Sequence, residues 1–424
     1  MFNFNEAMYF INGFTKTGKP VKDLNRIAAL LDLLGSPQDS LKFIHIAGTN
    51  GKGSVAQMCS NTLINAGYKT GLFTSPFIVE YSDRIRINNE IISKENLCKY
   101  SFMVHEVIDK LEYKESFSQF EISTAIAFLY FESEKCDVVV LEAGIGGRYD
   151  CTNVIESPLV SIITSISYDH TKILGETIEE ITAQKAGIIK PECPCVVSAY
   201  NPQKVYKVVN KFAKFAKSKV TVPDIESLKV VKSSLFDNEF VYKEETFETK
   251  MIGFHQIINA LSVIEAMNIV KERLPFIKPI NIAYGIASAT VMARDEVICE
   301  KPLILLDGAH NPDGMKALAQ VVSKAKYSRC YFIVGMIRDK NVKACVSNII
   351  PLADEIICVD GFFRSALSSE ELATVIRSCG KQEVTTMSMK SCKEILEEIV
   401  KPDDMVVICG SLYLASQIRG YFVD

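Results

Sequence analysis

The chain has 424 residues, which at roughly 100–200 residues per domain leaves room for two or three domains with buried cores. Its 47 Lys and Arg stand against 51 Asp and Glu, so it lacks the basic excess of a nucleic-acid-binding protein, and its 48% hydrophobic content is that of an ordinary globular enzyme. No apolar run reaches the roughly 18 residues a bilayer crossing needs, and the start, Met1-Phe2-Asn3-Phe4-Asn5-Glu6, has no basic region followed by an apolar core.

The 13 cysteines are scattered, several inside apolar runs (Cys59, Cys136, Cys358, Cys409), with Cys193-Pro194-Cys195 as the one close pair and no Cys-x-x-Cys. That usage fits buried thiols in a reducing compartment better than a disulfide frame or a zinc site. A cytoplasmic protein without nucleic-acid or membrane partners is expected.

Residues 5–35 read as helix, polar loop (Phe14 to Pro20) and helix, with Ile27, Leu30, Leu31 and Leu34 at helical spacing and Gly35 as the stop. A short apolar strand over 42–47 follows. It runs into Gly48-Thr49-Asn50-Gly51-Lys52-Gly53-Ser54, and helical spacing resumes from Ser54 to Ile64. Strand, glycine-rich loop and helix form the context in which a phosphate loop has meaning. Glycines let backbone N–H groups approach a polyphosphate, and the helix N-terminus adds a positive dipole end. Lys52 supplies a mobile charge and Ser54 a hydroxyl for Mg2+. The spacing is not the usual one, because only Gly48-Thr49-Asn50 precedes Gly51-Lys52 and a further glycine precedes Ser54. The plain alternative is a tight strand–helix turn with a solvated lysine.

A second short strand over 69–73 ends in Thr74-Ser75-Pro76. Ligands of open parallel sheets gather beyond the carboxyl ends of strands, which makes Ser75 a candidate for Mg2+ or phosphate, against a turn serine. Asp83 to Ile87 alternates like a strand with its charges on one face. A helix is expected over 119–135, burying Ile122, Ala125, Ile126, Leu129 and Tyr130. The apolar run 136–142 reads as a strand covered on both faces, ending in Glu142 and the bend Ala143-Gly144-Ile145-Gly146-Gly147-Arg148. A carboxylate there is placed to hold a magnesium ion, or else is hydrogen-bonded at a strand end. Strand 159–164 leads to Ser167-Tyr168-Asp169-His170, and an amphipathic helix is expected from Gly175 to Lys190, stopped by Pro191. Nothing in the pattern singles out Lys185 on that helix.

Residues 203–218 form a basic helix whose lysines read as a solvated face, 225–252 a small antiparallel element, and 254–270 a helix. Pro275, Pro279 and Ala293-Arg294-Asp295-Glu296 break the pattern, which places a domain boundary near 296–301. Beyond it, strands at 303–306, 330–334, 355–359 and 405–408 alternate with helices at 313–325, 340–349, 369–378, 391–399 and 412–419. This is an α/β domain with its own phosphate-friendly loop, Asp307-Gly308-Ala309-His310-Asn311-Pro312.

The motifs occur in a telling order: Gly48 to Ser54, Thr74-Ser75-Pro76, Glu142 to Arg148, Asp169-His170, Lys185-Ala186-Gly187, His255-Gln256-x-x-Asn259-Ala260 and Asp307 to Pro312. Together they resemble the folylpolyglutamate synthase/dihydrofolate synthase family of the Mur ligase superfamily, from about residue 5 to Gly410-Ser411-Leu412-Tyr413. The resemblance implies an α/β protein with an N-terminal P-loop ATPase domain on a mostly parallel sheet (1–296) and a smaller C-terminal Rossmann-like domain (297–424). It implies ATP- and Mg2+-dependent amide formation between a folate or dihydropteroate and L-glutamate, by a monomer. It also implies that Asn50, Gly51, Lys52, Gly53 and Ser54 cradle ATP phosphates, and that Ser75, Glu142 and His170 ligate the metal. Asn259, Arg294 and Asp307 match further ATP contacts. Lys185 matches a lysine that family members carry as a carbamate, His310 a histidine beside the catalytic cleft, and Phe120, Glu121 and Thr124 the pterin pocket. Three departures stand out: Phe77 where a histidine is usual, Gln184 for a glutamate, and Met292-Ala293 ahead of Arg294 in place of Pro-Gly. A Mur-type ligase for another carboxylate and amino acid, or a nucleotide-gated switch, are the alternatives.

Overall fold

The structure, a computed structural model, describes residues 2–14, 22–111, 117–392 and 398–422. The expected polar loop lies, from Thr15 on, outside the described residues, as do residues 393–397 of the helix expected over 391–399. The chain divides into two compact units, one of 1–167, 171–226 and 258–289, the other of 168–170, 227–257 and 290–424.

The first unit holds eight strands: β1 Phe43–Ala47, β2 Thr70–Phe73, β3 Ile85–Ile87, β4 Glu90–Ile91, β5 Val138–Glu142, β6 Val160–Ile163, β7 Cys195–Val197 and β8 Val220–Thr221. Their spatial order is β4-β3-β2-β5-β1-β6-β7-β8. The pairs from β2 to β8 are parallel, and β3 and β4 close one edge antiparallel. β1, β2, β5 and β6 are buried throughout, which is why they read as unbroken apolar runs. The register sets Ile46 beside Glu142, Ala47 beside Ile163 and Phe73 beside Leu141. The carboxyl ends of β1, β2, β5 and β6 therefore reach one edge together, and the loops that follow them meet there. Helix Gln119–Ser133 packs its long buried run with Phe43, Phe73 and Leu31 in the main core.

Several elements differ from expectation. Asp83 and Arg84 lie in a 3-10 turn, Tyr81–Arg84, and only Ile85–Ile87 is strand. The buried Asp83 carboxylate makes the turn, because one oxygen accepts the N–H groups of Ile78, Val79 and Glu80 at 3.3, 2.7 and 3.1 Å. The single helix expected over 175–190 is instead Thr171–Leu174 and Ile178–Ala186. Thr177 and Glu180 restart it with a capping box, and Gly187 ends it where a Cβ would stand 2.4 Å from that of Arg148. Helix Lys94–Ile108 was not expected, although Leu97, Tyr100, Ser101, Val104 and Ile108 carry a buried helical face behind the Ser93 cap. Pro279, read as a break, stands at the start of helix Pro279–Ser288, the position where its missing N–H costs nothing.

The second unit holds a small antiparallel sheet, β9 Leu228–Ser233, β10 Asn238–Tyr242 and β11 Glu245–Thr249, as expected for 225–252. Its main sheet is β12 Glu296–Glu300, β13 Leu303–Leu306, β14 Cys330–Val334, β15 Glu355–Asp360, β16 Val384–Ser388 and β17 Met405–Cys409, in the order β12-β13-β17-β14-β15-β16. All pairs are parallel except β12 with β13. The stretch read as an interdomain boundary, 296–301, thus contains an edge strand hydrogen-bonded to β13, and this unit takes in 227–257 and 290–296 as well as 297–424. β16 escaped notice because Val384-Thr385-Thr386-Met387-Ser388 is an edge strand with a single buried residue, Met387, and so carries little apolar signal.

All 13 cysteines are free and 11 of them are buried. Among the described residues no helix is long and apolar enough to cross a membrane.

Candidate active site

In the first unit the site begins where β1 hands the chain to helix Lys52–Asn65. Gly51, at φ +86°, is the N-cap of that helix. Two positions of the loop admit only glycine. A Cβ at Gly48 would stand 1.7 Å from Thr164 Oγ1, and one at Gly51 2.5 Å from Asn259 Oδ1. The loop backbone is pinned from behind: Thr49 N–H donates to Ser165 O at 2.7 Å, and the Thr164 hydroxyl donates to Asn50 O at 2.7 Å. Lys185, 3% exposed, donates its ammonium to Gly48 O at 2.7 Å. The helix N-terminus and these close-approach glycines make a ready anion seat.

Glu142, at the end of β5, is buried beside this loop. Its Oε2 accepts the Ser75 N–H at 3.1 Å, and its Oε1 lies 3.9 Å from Lys52 Nζ. Lys52 Nζ also donates to Thr49 O at 3.4 Å, so its ammonium sits over the loop. Ser54, in the first turn of the helix, is 2% exposed. Lys52, Gly53, Ser75 and Glu142 are therefore brought together with Asn50, Gly51 and Asn259 in one unit. The hydroxyl and carboxylate oxygens of Ser75 and Glu142 are the hard donors a magnesium ion takes. His170, the third expected ligand, belongs to the second unit, at a left-handed φ of +49°.

The three residues matched to the pterin pocket fall in two classes. Glu121 and Thr124 are buried with their polar atoms engaged by the protein. Glu121 makes a bidentate pair with Arg26 (2.8 and 2.6 Å) and closes a capping box with Ser118. Thr124 Oγ1 donates to Phe120 O at 2.9 Å and lies 3.1 Å from Cys151 Sγ. Phe120 keeps part of its ring open, lying against Gly144, where a Cβ would stand 2.7 Å from its edge.

In the second unit Arg294 stands between Ala293 and Asp295, both left-handed at φ +54° and +47°. Asp307 Oδ2 accepts the Asp295 N–H at 2.8 Å and Oδ1 that of Ala309 at 2.7 Å. Burial pushes the Asp307 carboxyl up and the Arg294 guanidinium opposes it, whereas burial and the facing Asp307 push Asp295 well up. His310 Nδ1 is 2.8 Å from Gly308 O, and its Nε2 is 3.3 Å from Asp169 Oδ2. Burial pushes the Asp169 carboxyl up, but the His310 contact and the nearby charges of His170, His310 and Lys340 outweigh it and hold Asp169 well below the usual carboxylate range.

Residues 46–267 match the Mur ligase middle domain, and 293–412 the Mur ligase glutamate ligase domain. The dihydrofolate synthase/folylpolyglutamate synthase of Bacillus subtilis is 34% identical over 98% of both chains. The folylpolyglutamate synthase of Lacticaseibacillus casei is 32% identical, again over 98% of both. The chain belongs to the folylpolyglutamate synthase/dihydrofolate synthase family of Mur ligases. Mycobacterium tuberculosis folylpolyglutamate synthase complexed with ADP superposes with a TM-score of 0.89 at 28% identity, over 99% of this chain and 98% of that one.

In this Mur ligase the middle-domain match contains Lys52, Ser75, Glu142, His170, Lys185 and Asn259, and the glutamate-ligase match contains Arg294, Asp307 and His310. Sequence reasoning passed over Thr164 and Lys340. Thr164 directly follows a buried strand, a position that carries a signal in any parallel sheet. Lys340 lies six residues after β14 ends at Val334 and gave no signal of its own; only the fold sets it on Asp169.

Proposed function

We propose that this Mur ligase joins L-glutamate to a folate at the expense of ATP, lengthening the glutamate tail of tetrahydrofolate and also converting dihydropteroate to dihydrofolate. The observation that carries the reading is the loop from Gly48 to Ser54, with Lys52 poised over it 3.9 Å from the buried Glu142. The Bacillus subtilis relative, named for both reactions, and the Lacticaseibacillus casei relative, named for tail lengthening, support it.

The acceptor carboxylate attacks the γ-phosphorus of ATP and expels ADP, giving an acyl phosphate. The glutamate amine then attacks the acyl carbon and expels inorganic phosphate, forming the amide and losing a proton. The first step needs charge neutralisation more than a base, because negative charge crowds the transferring phosphoryl group. Asn50, Gly51, Gly53 and Ser54 present the loop and helix N-terminus to the phosphates, and Lys52 carries its charge to the terminal one. Lys185 braces the loop through Gly48 O. Ser75, Glu142 and His170 would hold Mg2+, which supplies further neutralisation of phosphate charge. Asn259, Arg294 and Asp307 hold the nucleotide, and His310 is a catalytic residue. Phe120 offers the acceptor an aromatic face, which Glu121 and Thr124 support from within. ATPase and ligase roles fall to 1–296 and 297–424 respectively, in a cytoplasmic monomer.

The test is phosphate release and product mass with Mg-ATP and glutamate, adding dihydropteroate or tetrahydrofolate in turn. Amide product with both is expected. Product with tetrahydrofolate alone would remove the dihydrofolate synthase half of the reading, and product with neither would assign the ligase another carboxylate.

A further inference from the structure

Asp169 has no part in the chemistry above, yet three side chains and one backbone N–H of the second unit close on its carboxylate. Lys340 Nζ is 2.5 Å from Oδ1 and His310 Nε2 is 3.3 Å from Oδ2. The Asn311 amide donates to Oδ2 at 3.2 Å, and the N–H of His170 donates to Oδ1 at 2.8 Å. The Asp169 and Lys340 side chains are only 8% and 6% exposed. A buried ion pair is weak evidence for stability, because desolvation opposes the attraction. What such a pair does supply is geometry.

The geometry here is directed at one ring. His310 Nδ1 lies 2.8 Å from the Gly308 carbonyl while Nε2 faces the Asp169 carboxylate. With a partner oxygen at each ring nitrogen, the ring is held in one plane. Asn311 ties the arrangement to a rigid element, since its Oδ1 accepts the Gly314 N–H at 2.9 Å and caps helix Pro312–Val322. Lys340 takes Oδ1, so Oδ2 is the oxygen turned to the histidine. We infer that Asp169 and Lys340 are positioning residues that fix the plane of the His310 ring, an inference that rests on the role proposed for His310.

The experiment uses the full chain with Asp169→Asn, Lys340→Met, Lys340→Arg, His310→Gln and the Asp169→Asn/His310→Gln pair. Misplacing a reacting group by about 1 Å can cost about 100-fold in rate, and that is the expected fall in kcat for Asp169→Asn and Lys340→Met. The KM for ATP is expected to stay within about threefold of the unaltered enzyme, because the phosphate loop is untouched. Lys340→Arg should recover about tenfold over Lys340→Met, since the charge returns. With Gln at position 310, Asp169→Asn should cost less than about threefold more, because residues acting through one another are not additive. Losses that multiply in the pair would overturn the inference, as would kcat near normal in either single variant. A substrate-free readout accompanies the kinetics. The 15N-histidine spectrum should report the Nε2 contact, and Asp169→Asn should shift the His310 Nε2 signal while leaving that of Nδ1 in place. An unchanged spectrum would also overturn the inference. If the unaltered enzyme forms no amide from any folate, the proposed function fails, and the nitrogen spectrum still decides the positioning.

Discussion

Gly48→Ala is the sharpest perturbation the site offers. The added methyl carbon would stand 1.7 Å from Thr164 Oγ1 and 2.9 Å from its Cβ. Comfortable contact between carbon atoms needs about 3.5–4 Å, so the two cannot coexist as placed. Thr164 has to turn away, and its hydroxyl then gives up the bond to Asn50 O at 2.7 Å. Losing a buried hydrogen bond costs about 1–3 kcal/mol, and forced repacking about 1–3 kcal/mol. Taking the middle of each range, the variant loses about 4 kcal/mol, a fall of roughly 10 °C in Tm for a unit of this size. The assay is scanning calorimetry, with a fluorescent ATP analogue to read the loop itself. Adding Thr164→Gly removes both clashing atoms, so the double variant should lose about 2 kcal/mol less than the sum of the two singles. A Gly48→Ala enzyme melting within about 2 °C of normal, or losses that add in full, would show that Thr164 does not set the path of the loop.

Lys52→Ala is expected to abolish amide formation while leaving Tm nearly unchanged, since the side chain is part-exposed and its contact with Glu142 spans 3.9 Å. Near-normal ligation by that variant would end the phosphate-loop assignment. Arg26→Ala strands the buried Glu121 carboxylate and should cost about 2–3 kcal/mol, reduced from the fully buried case because Arg26 is 21% exposed. Glu121→Gln in the same chain should restore part of that in urea unfolding, and no restoration would mean the charge was not the cause. His45 is fully buried on β1 with its Nε2 3.0 Å from Thr152 Oγ1, and burial holds its ring down to about 3 against 6.5 when unfolded. The unfolded chain therefore takes up the proton first as pH falls. The stability owed to the neutral ring is complete above 6.5 and disappears progressively toward 3. Between pH 7 and pH 5 this single site should remove about 2 kcal/mol of unfolding free energy. His45→Gln should show a pH dependence flatter by that amount, and equal slopes would refute the assignment.

Strands over 303–306 and 330–334 and helices over 369–378 and 412–419 fall where the alternation placed them, because each repeats one local period between clear stops. The strand, glycine-rich loop and helix around Gly48 to Ser54 were legible for the same reason: a buried strand, three glycines and a helix follow one another without a gap. Glu142 and Ser75 were legible as polar residues at the ends of apolar runs. Pro279 misled because proline both ends and begins helices, and only the packed Ile282, Gly285 and Ile286 decide which.

What the sequence by itself determined, then, is the set of elements whose signal is local, together with the motifs that lie within one strand–loop–helix unit. The tertiary structure alone decided which ends meet. The order β2-β5-β1-β6 brings Phe73, Glu142, Ala47 and Ile163 to one edge, although these residues are far apart in the chain. Only that arrangement puts Lys185 on Gly48 O, Thr164 against Gly48 and Ser75 on Glu142. Within the second unit it likewise sets Lys340 on Asp169. Such contacts leave no periodic trace, because a lone lysine or threonine costs the same in a solvated helix or loop whether or not a distant carbonyl awaits it. Their free energy arises when the chain closes and water is excluded from both partners at once.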